Sequence, residues 1–277
     1  RYVAPAREAV DPAVFAAPPL AAWREYAELL HGNDWPVVDA LNARRGGDAL
    51  PRFAAQDRAL LDDGLHYEQR IAECGVVATR ERNWHDLFNA LVWLRYPRLK
   101  RALNRRQVEE IARMGPRERS RPQCAMTHFD EAGVIVRVAD PSLLALWDAH
   151  DWHGLFWGER AAWQDGRIDV AVFGHALLEH ALTPGKLLVG KALVVAADAA
   201  VSWSQIVAGL AQGIADDGLL ADPLDLRPLP LSGIPGWHPD NGDEAFHRSA
   251  PCYQPLREGR GYPPAWTLPD NAGLARD

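Results

Sequence analysis

Residues 83–96 read Asn-Trp-His-Asp-Leu-Phe-Asn-Ala-Leu-Val-Trp-Leu-Arg-Tyr and are apolar nearly all round a helix, with Trp84, Leu87, Phe88, Ala90, Leu91, Val92, Trp93 and Leu94. Such a helix is stable only when other elements cover it on most sides, so the chain must build a body around it. A chain of 277 residues, 48% of them hydrophobic, has enough material for that core. Set inside the run are His85, Asp86 and Asn89. A buried carboxamide left without partners costs about 1–3 kcal/mol, and one turn before Asn89 the same face carries His85 and Asp86, so the three make one polar stripe. Asn83 is placed to cap the helix and Asp86, at the third helical position, to act as the acid of a capping box. Capping accounts for Asp86 and leaves His85 and Asn89 in need of partners.

The surrounding pattern predicts an α+β fold, predominantly helical with a few short strands: a single domain with a Pro-rich irregular C-terminal tail. Residues 1–19 read as an extended lead-in, 20–217 as a helix-rich globular core, and 218–277 as a Pro-rich tail packing on it. Helices are expected over 20–31, from Asn33 or Asp34 to Arg44, and from Pro97 to about Arg113. Further helices are expected over 141–149, 152–163, 175–182 and 202–216, and strands over 52–57, 168–173 and 191–196. Residues 127–138 read as a strand turning at Asp130 to Gly133 and returning through Val134, Val136 and Val138. Residues 67–79 suit a helix or a strand equally.

Composition removes several classes of function. No apolar run approaches the roughly 20 residues that span a bilayer, and residues 1–12 show no apolar segment of a secretory signal. Cys74, Cys124 and Cys252 are far apart and unpaired in sequence, which argues against a disulfide framework or a cysteine zinc site and points to a reducing, cytoplasmic setting. A net charge of −7 disfavours nucleic acid as a partner of the whole surface. The charge is uneven: residues 95–121 hold ten basic side chains against Glu109, Glu110 and Glu118. That stretch is either a solvated helix face or an anion-facing surface for phosphate, nucleic acid or an acidic partner, with an anionic small molecule as one candidate ligand. Lys100, Lys186 and Lys191 stand among a large majority of arginines, marking positions where a compact ammonium is wanted.

His175 and Glu179 lie one turn apart on an otherwise apolar helix that directly follows a strand, a spacing at which two side chains can share a metal or pair with each other. The run Thr127-His128-Phe129-Asp130-Glu131-Ala132-Gly133 offers Asp130 or Glu131 to complete a His/carboxylate cluster. The catalytic candidates are therefore His85, Asp86, Asn89, His175 and Glu179, with one divalent metal ion held by His85, Asp130, His175 and Glu179. Lys100, Arg101, Asn104 and Lys191 are the candidates for binding a ligand. Gly-rich phosphate loops, the Gly-x-Ser-x-Gly elbow, His-Glu-x-x-His and paired cysteine ligands are all missing from the sequence.

The run Thr79 to Leu94, with Pro97, Lys100 and Asn104, resembles the bacterial family catalogued as domain of unknown function 3025. Phe129-Asp130-Glu131, Phe173 to Glu179 and Gly233-Ile234-Pro235-Gly236-Trp237 extend the resemblance, which spans roughly residues 23–257 and departs at 247–253. It implies a bacterial protein with one continuous domain and places Lys100 and Lys191 at lysine positions of the family. Three functions stay open on the residues. One is a hydrolase or lyase built on the buried His/Asp/Glu/Asn cluster. The others are a non-catalytic module binding a phosphate compound, RNA or a lipid headgroup through the basic segment, and a structural or partner-binding protein.

Overall fold

The N-terminal region winds rather than extends. In the computed structural model, which describes residues 2–47, 50–115 and 118–269, 3-10 turns at Arg7–Ala9 and Pro12–Ala16 precede a 3-10 helix, Leu20–Tyr26, that runs into α1 (Ala27–Leu30). α2 (Val38–Asn42) begins later than expected, because Pro36 disfavours helical geometry in the residue before it. β1 (Arg52–Ala55) leads to α3 (Arg58–Leu61), capped by Asp57. The ambiguous stretch 67–79 is both things in turn. α4 (Tyr67–Cys74) ends at Gly75 in the left-handed region, and β2 (Val76–Thr79) follows, pairing parallel with β1.

α5 (Trp84–Arg95) is the apolar helix, with Asn83 at its N-cap accepting from the Asp86 N–H. Its neighbour α6 (Pro97–Met114) starts on a proline, which serves the first turn of a helix well. The next element corrects the expected hairpin over 127–138: α7 (Arg121–Ala132) is helical throughout, and only then does β3 (Gly133–Val138) begin. The Ser120 and Gln123 side chains form a capping box upstream, so Asp130 and Glu131 ride on the last turn of a helix and not in a strand turn.

α8 (Ser142–Asp148) is followed by a π-helical turn, Gly154–Gly158, and α9 (Arg160–Asp165), which together divide the helix expected over 152–163. β4 (Ile168–Val172), α10 (His175–His180), β5 (Val189–Ala196) and α11 (Trp203–Ala215) fall where the periodicity puts them. β6 (Arg227–Pro230), α12 (Glu244–Ser249) and β7 (Trp266–Thr267) come from the Pro-rich region. The main sheet runs β4-β3-β5-β6, with β3 parallel to β5, β4 and β6 antiparallel to their neighbours, and β7 pairing the end of β5. The result is a single α+β domain, mainly helical. No helix among the described residues is long and apolar enough to cross a membrane.

Every residue of β3 is buried, and α5 is buried along most of its length, so both lie at the centre of the body. The junction of α7 with β3 then meets the junction of β4 with α10. The Gly133 carbonyl accepts from the N–H groups of Phe173 (3.0 Å) and Gly174 (2.8 Å), which sets the end of α7 against the start of α10. Gly174 permits that approach: a Cβ there would stand 2.4 Å from Gly133 N and 2.6 Å from Ala132 C. Since its φ of −65° is open to any residue, the constraint is steric. Gly174→Ala is expected to cost about 1–3 kcal/mol in denaturant unfolding, the range for overpacking a filled site. An unchanged midpoint would remove the close-approach argument.

Candidate functional site

Three side chains from three helices converge beside that junction. His85 comes from the first turn of α5, Glu131 from the last turn of α7 and His175 from the first turn of α10. His85 Nε2 and His175 Nε2 are 3.0 Å apart; Glu131 Oε2 lies 3.6 Å from His175 Nε2 and 3.9 Å from His85 Nε2. A circle through three atoms at those separations has a radius of about 2.1 Å, the length of a bond from zinc to imidazole nitrogen or carboxylate oxygen.

Each imidazole has a carboxylate behind it. His85 Nδ1 is 3.2 Å from Glu179 Oε2, and His175 Nδ1 faces Asp130 Oδ2 at 3.8 Å, too long for a hydrogen bond. Carboxylates so placed favour the proton on Nδ1 and leave the Nε2 lone pair free, and here the two Nε2 atoms lie 3.0 Å apart. Asp130 is itself held by Lys100, whose Nζ donates to Asp130 Oδ1 (2.6 Å) and to Asn89 Oδ1 (3.0 Å). Asn89 completes its set by donating to the Tyr67 hydroxyl at 2.8 Å.

Charge follows from the geometry. Burial drives the His175 pKa down to about 3, against the opposing pull of Asp130, so this ring is neutral through the physiological range. Burial also penalises the His85 cation, but the Glu179 hydrogen bond and the charges of Glu131 and Glu179 outweigh it and raise its pKa. Burial raises the Glu131 carboxyl, with Asp130 and Glu179 adding to the effect against His85 and Lys100. Burial would raise Asp130 too, yet Lys100 and the two histidines hold it below its ordinary value. One buried ammonium thus faces three carboxylates and two imidazoles, a donor set suited to a further cation.

The remaining candidates divide. Asp86 does not complete a capping box; its carboxylate accepts from the Arg80 backbone N–H (2.6 Å) and guanidinium (2.6 Å). Asn104 donates to the Glu68 carboxylate at 2.6 Å, one layer behind the site, and burial raises the Glu68 pKa. Lys191 lies on β5, and Arg101 is exposed on α6 beside a different cavity. Tyr67 and Glu68 are new members of the polar network, and the ambiguity of 67–79 hid them. Arg80 and Arg119 line, with His85, Glu131 and His175, a cavity of about 380 Å³. Arg119 was visible only as part of the basic run.

A family model described as "Protein of unknown function (DUF3025)" matches residues 51–257, a span that holds every residue of the cluster. No curated protein and no solved structure matches the chain.

The buried neutral His175 makes the metal-free protein acid-sensitive. Above the unfolded value of 6.5 neither state holds its proton; below it the unfolded chain takes one that the folded ring refuses until about pH 3, so stability falls as pH falls. The slope is about 1.4 kcal/mol per pH unit, or about 2 kcal/mol between pH 6.5 and about 5. His85 adds nothing to the slope there, because its raised pKa makes its contribution constant below 6.5. Urea unfolding across that window, with chelator present, is expected to give a flatter slope in His175→Asn. Equal slopes would mean that His175 is protonated in the fold.

Proposed function

We propose that this chain, which belongs to the family of proteins of unknown function DUF3025, is a metal-dependent hydrolase of a small anionic molecule, with His85, Glu131 and His175 holding one divalent cation. One observation carries the reading: three ligand atoms of the residue types that bind zinc surround a point about 2.1 Å from each. Three protein ligands with a further position open to water is the arrangement of catalytic, as against structural, zinc sites.

Held by His85, Glu131 and His175, a divalent cation would lower the pKa of a coordinated water toward neutrality and so would supply a nucleophile. The chain's own groups set the stage for it. Glu179 orients the His85 ring through a hydrogen bond, Asp130 faces His175 Nδ1 at 3.8 Å and acts on that ring through its charge, and Lys100 keeps Asp130 ionised. Arg119, exposed at the same cavity and without an ion pair among the described residues, is positioned to hold an anionic group of the substrate, with Arg80 beside it. The contact between the two Nε2 atoms also favours a second reading, metal-free acid/base chemistry of the lyase type, in which one proton is shared between the rings.

The test is titration of chelator-treated protein with Zn²⁺ and Mn²⁺ by calorimetry in buffers of different ionisation enthalpy. We expect one ion per chain, with affinity falling and proton release rising as pH falls, since the ligand atoms must be deprotonated to bind. His175→Ala and Glu131→Gln are expected to abolish binding or weaken it at least about tenfold, and Glu179→Gln to weaken it by about 10–100-fold. Ester, amide and phosphoester panels then follow with and without the ion. Absence of binding in folded wild-type protein would overturn the metal reading, and turnover surviving chelator would favour the second.

A further inference from the structure

On the other side of α6 lies a larger cavity, of about 1260 Å³, that shares no lining residue with the one above His85. Its walls carry five guanidinium groups: Arg45 after α2, Arg52 at the start of β1, and Arg98, Arg101 and Arg105 along one face of α6. Glu109 is the one carboxylate among the described lining residues, and it lies 3.6 Å from Arg105. The side chains of Arg52 and Arg101 are exposed and have no hydrogen bond or ion pair among the described residues. Cations gathered on a concave surface repel one another, and the low-dielectric walls strengthen their field. A counter-ion relieves that repulsion.

The Arg45 Nε and the indole Nε1 of Trp93, both fully buried, have no hydrogen-bond partner among the described residues; both residues line this cavity, and Trp93 also lines a small one beside Lys100. α11 lines the cavity with Ala208, Gly209, Ala211, Gln212 and Ala215, and α6 adds Ala102, so that most of this wall is small and apolar. A cavity with a cationic rim and a smooth apolar wall suits a ligand with an apolar body and clustered anionic groups.

We propose that this cavity is a second binding site, for a small molecule carrying two or more phosphate groups on a largely planar body, such as a nucleoside polyphosphate. Arg52 and Arg101 grip the phosphates, and the base lies on the Ala/Gly wall of α11. The arginines stand on three separate segments around a concavity, and not in a stripe along a convex face, which is why a small polyanion is favoured over a nucleic-acid strand.

The site is tested on the full chain, treated with chelator so that the histidine cluster holds no metal, by calorimetric titration with ATP and with pyrophosphate. ATP is expected to bind with a Kd below ~1 mM that rises with salt, and more tightly than pyrophosphate because of the apolar wall. Arg52→Glu and Arg101→Glu, each at an exposed position, are expected to weaken ATP binding by about tenfold or more. Arg24→Glu, an exposed charge reversal away from this cavity, is expected to leave it unchanged. The proposal is overturned if ATP fails to bind, if Arg24→Glu weakens it as much as Arg101→Glu, or if an oligoribonucleotide binds at these arginines where ATP does not.

Discussion

The Lys100 ammonium, 4% exposed, is the charge on which the arrangement of the central helices depends. An ion so far from water costs several kcal/mol unless its hydrogen-bonding capacity is met, and the partners that meet it come from two other helices: Asn89 of α5 and Asp130 of α7. Its Nζ also sits 5.3 Å above the Trp93 ring, a cation–π contact that suits a poorly hydrated site. α5, α6 and α7 are therefore tied at one point, and the tie is directional where the surrounding leucine and valine packing is not. Removing one partner would leave a buried charge exposed to the full desolvation cost, which is why such a pair specifies an arrangement more than it adds stability.

That tie also explains what could be read from the residues and what could not. The mid-helix Asn89 announced a need for partners because an apolar run cannot satisfy a carboxamide, and the scarcity of lysine marked Lys100 as a place for an ammonium. The bond between them joins positions eleven residues apart on two helices, and only tertiary packing brings those faces together. Glu131 was legible only as an alternative to Asp130, for a local reason. Asp130 to Gly133 carries the residue types of a turn, yet the Ser120–Gln123 capping box had already committed the chain to a helix, and helix geometry sends Asp130 and Glu131 to different sides of His175. Asp86 failed as a capping residue because Arg80, before the helix, offers it both a backbone N–H and a guanidinium.

The pairing of His175 with Glu179 at one helical turn was legible as a motif but not in its connection. Glu179 supports the other histidine: its carboxylate holds His85 Nδ1, while His175 turns its Nδ1 toward Asp130. α10 thus supplies the carboxylate that holds a ring on α5, while α7 supplies the one that faces the ring on α10. The arrangement works because Gly174 lets α10 begin in contact with Gly133, placing His175 within 3.0 Å of a residue ninety positions earlier. The first-turn position of His175 adds to burial in keeping the ring neutral, since a helix N-terminus disfavours a nearby cation.

The basic run from Arg95 to Arg121 resolves, on the same physical grounds, into residues with different tasks. Along α6, Lys100 and Arg106 turn inward: Lys100 to the polar network, and Arg106 to the Leu219 carbonyl and Asp217 at 2.6 Å. Arg98, Arg101 and Arg105 share the outward face, where the α11 wall turns their exposure into a cavity. A single helix thereby separates a region rich in carboxylates from one rich in guanidinium groups. Asn104 marks the boundary, lining the basic cavity while donating to the buried Glu68 carboxylate on the acidic side. The two clusters differ in sign within the thickness of one helix, which fits the cation proposed beside the histidines and the polyanion proposed on the opposite face of α6. The net charge of −7 conceals that separation.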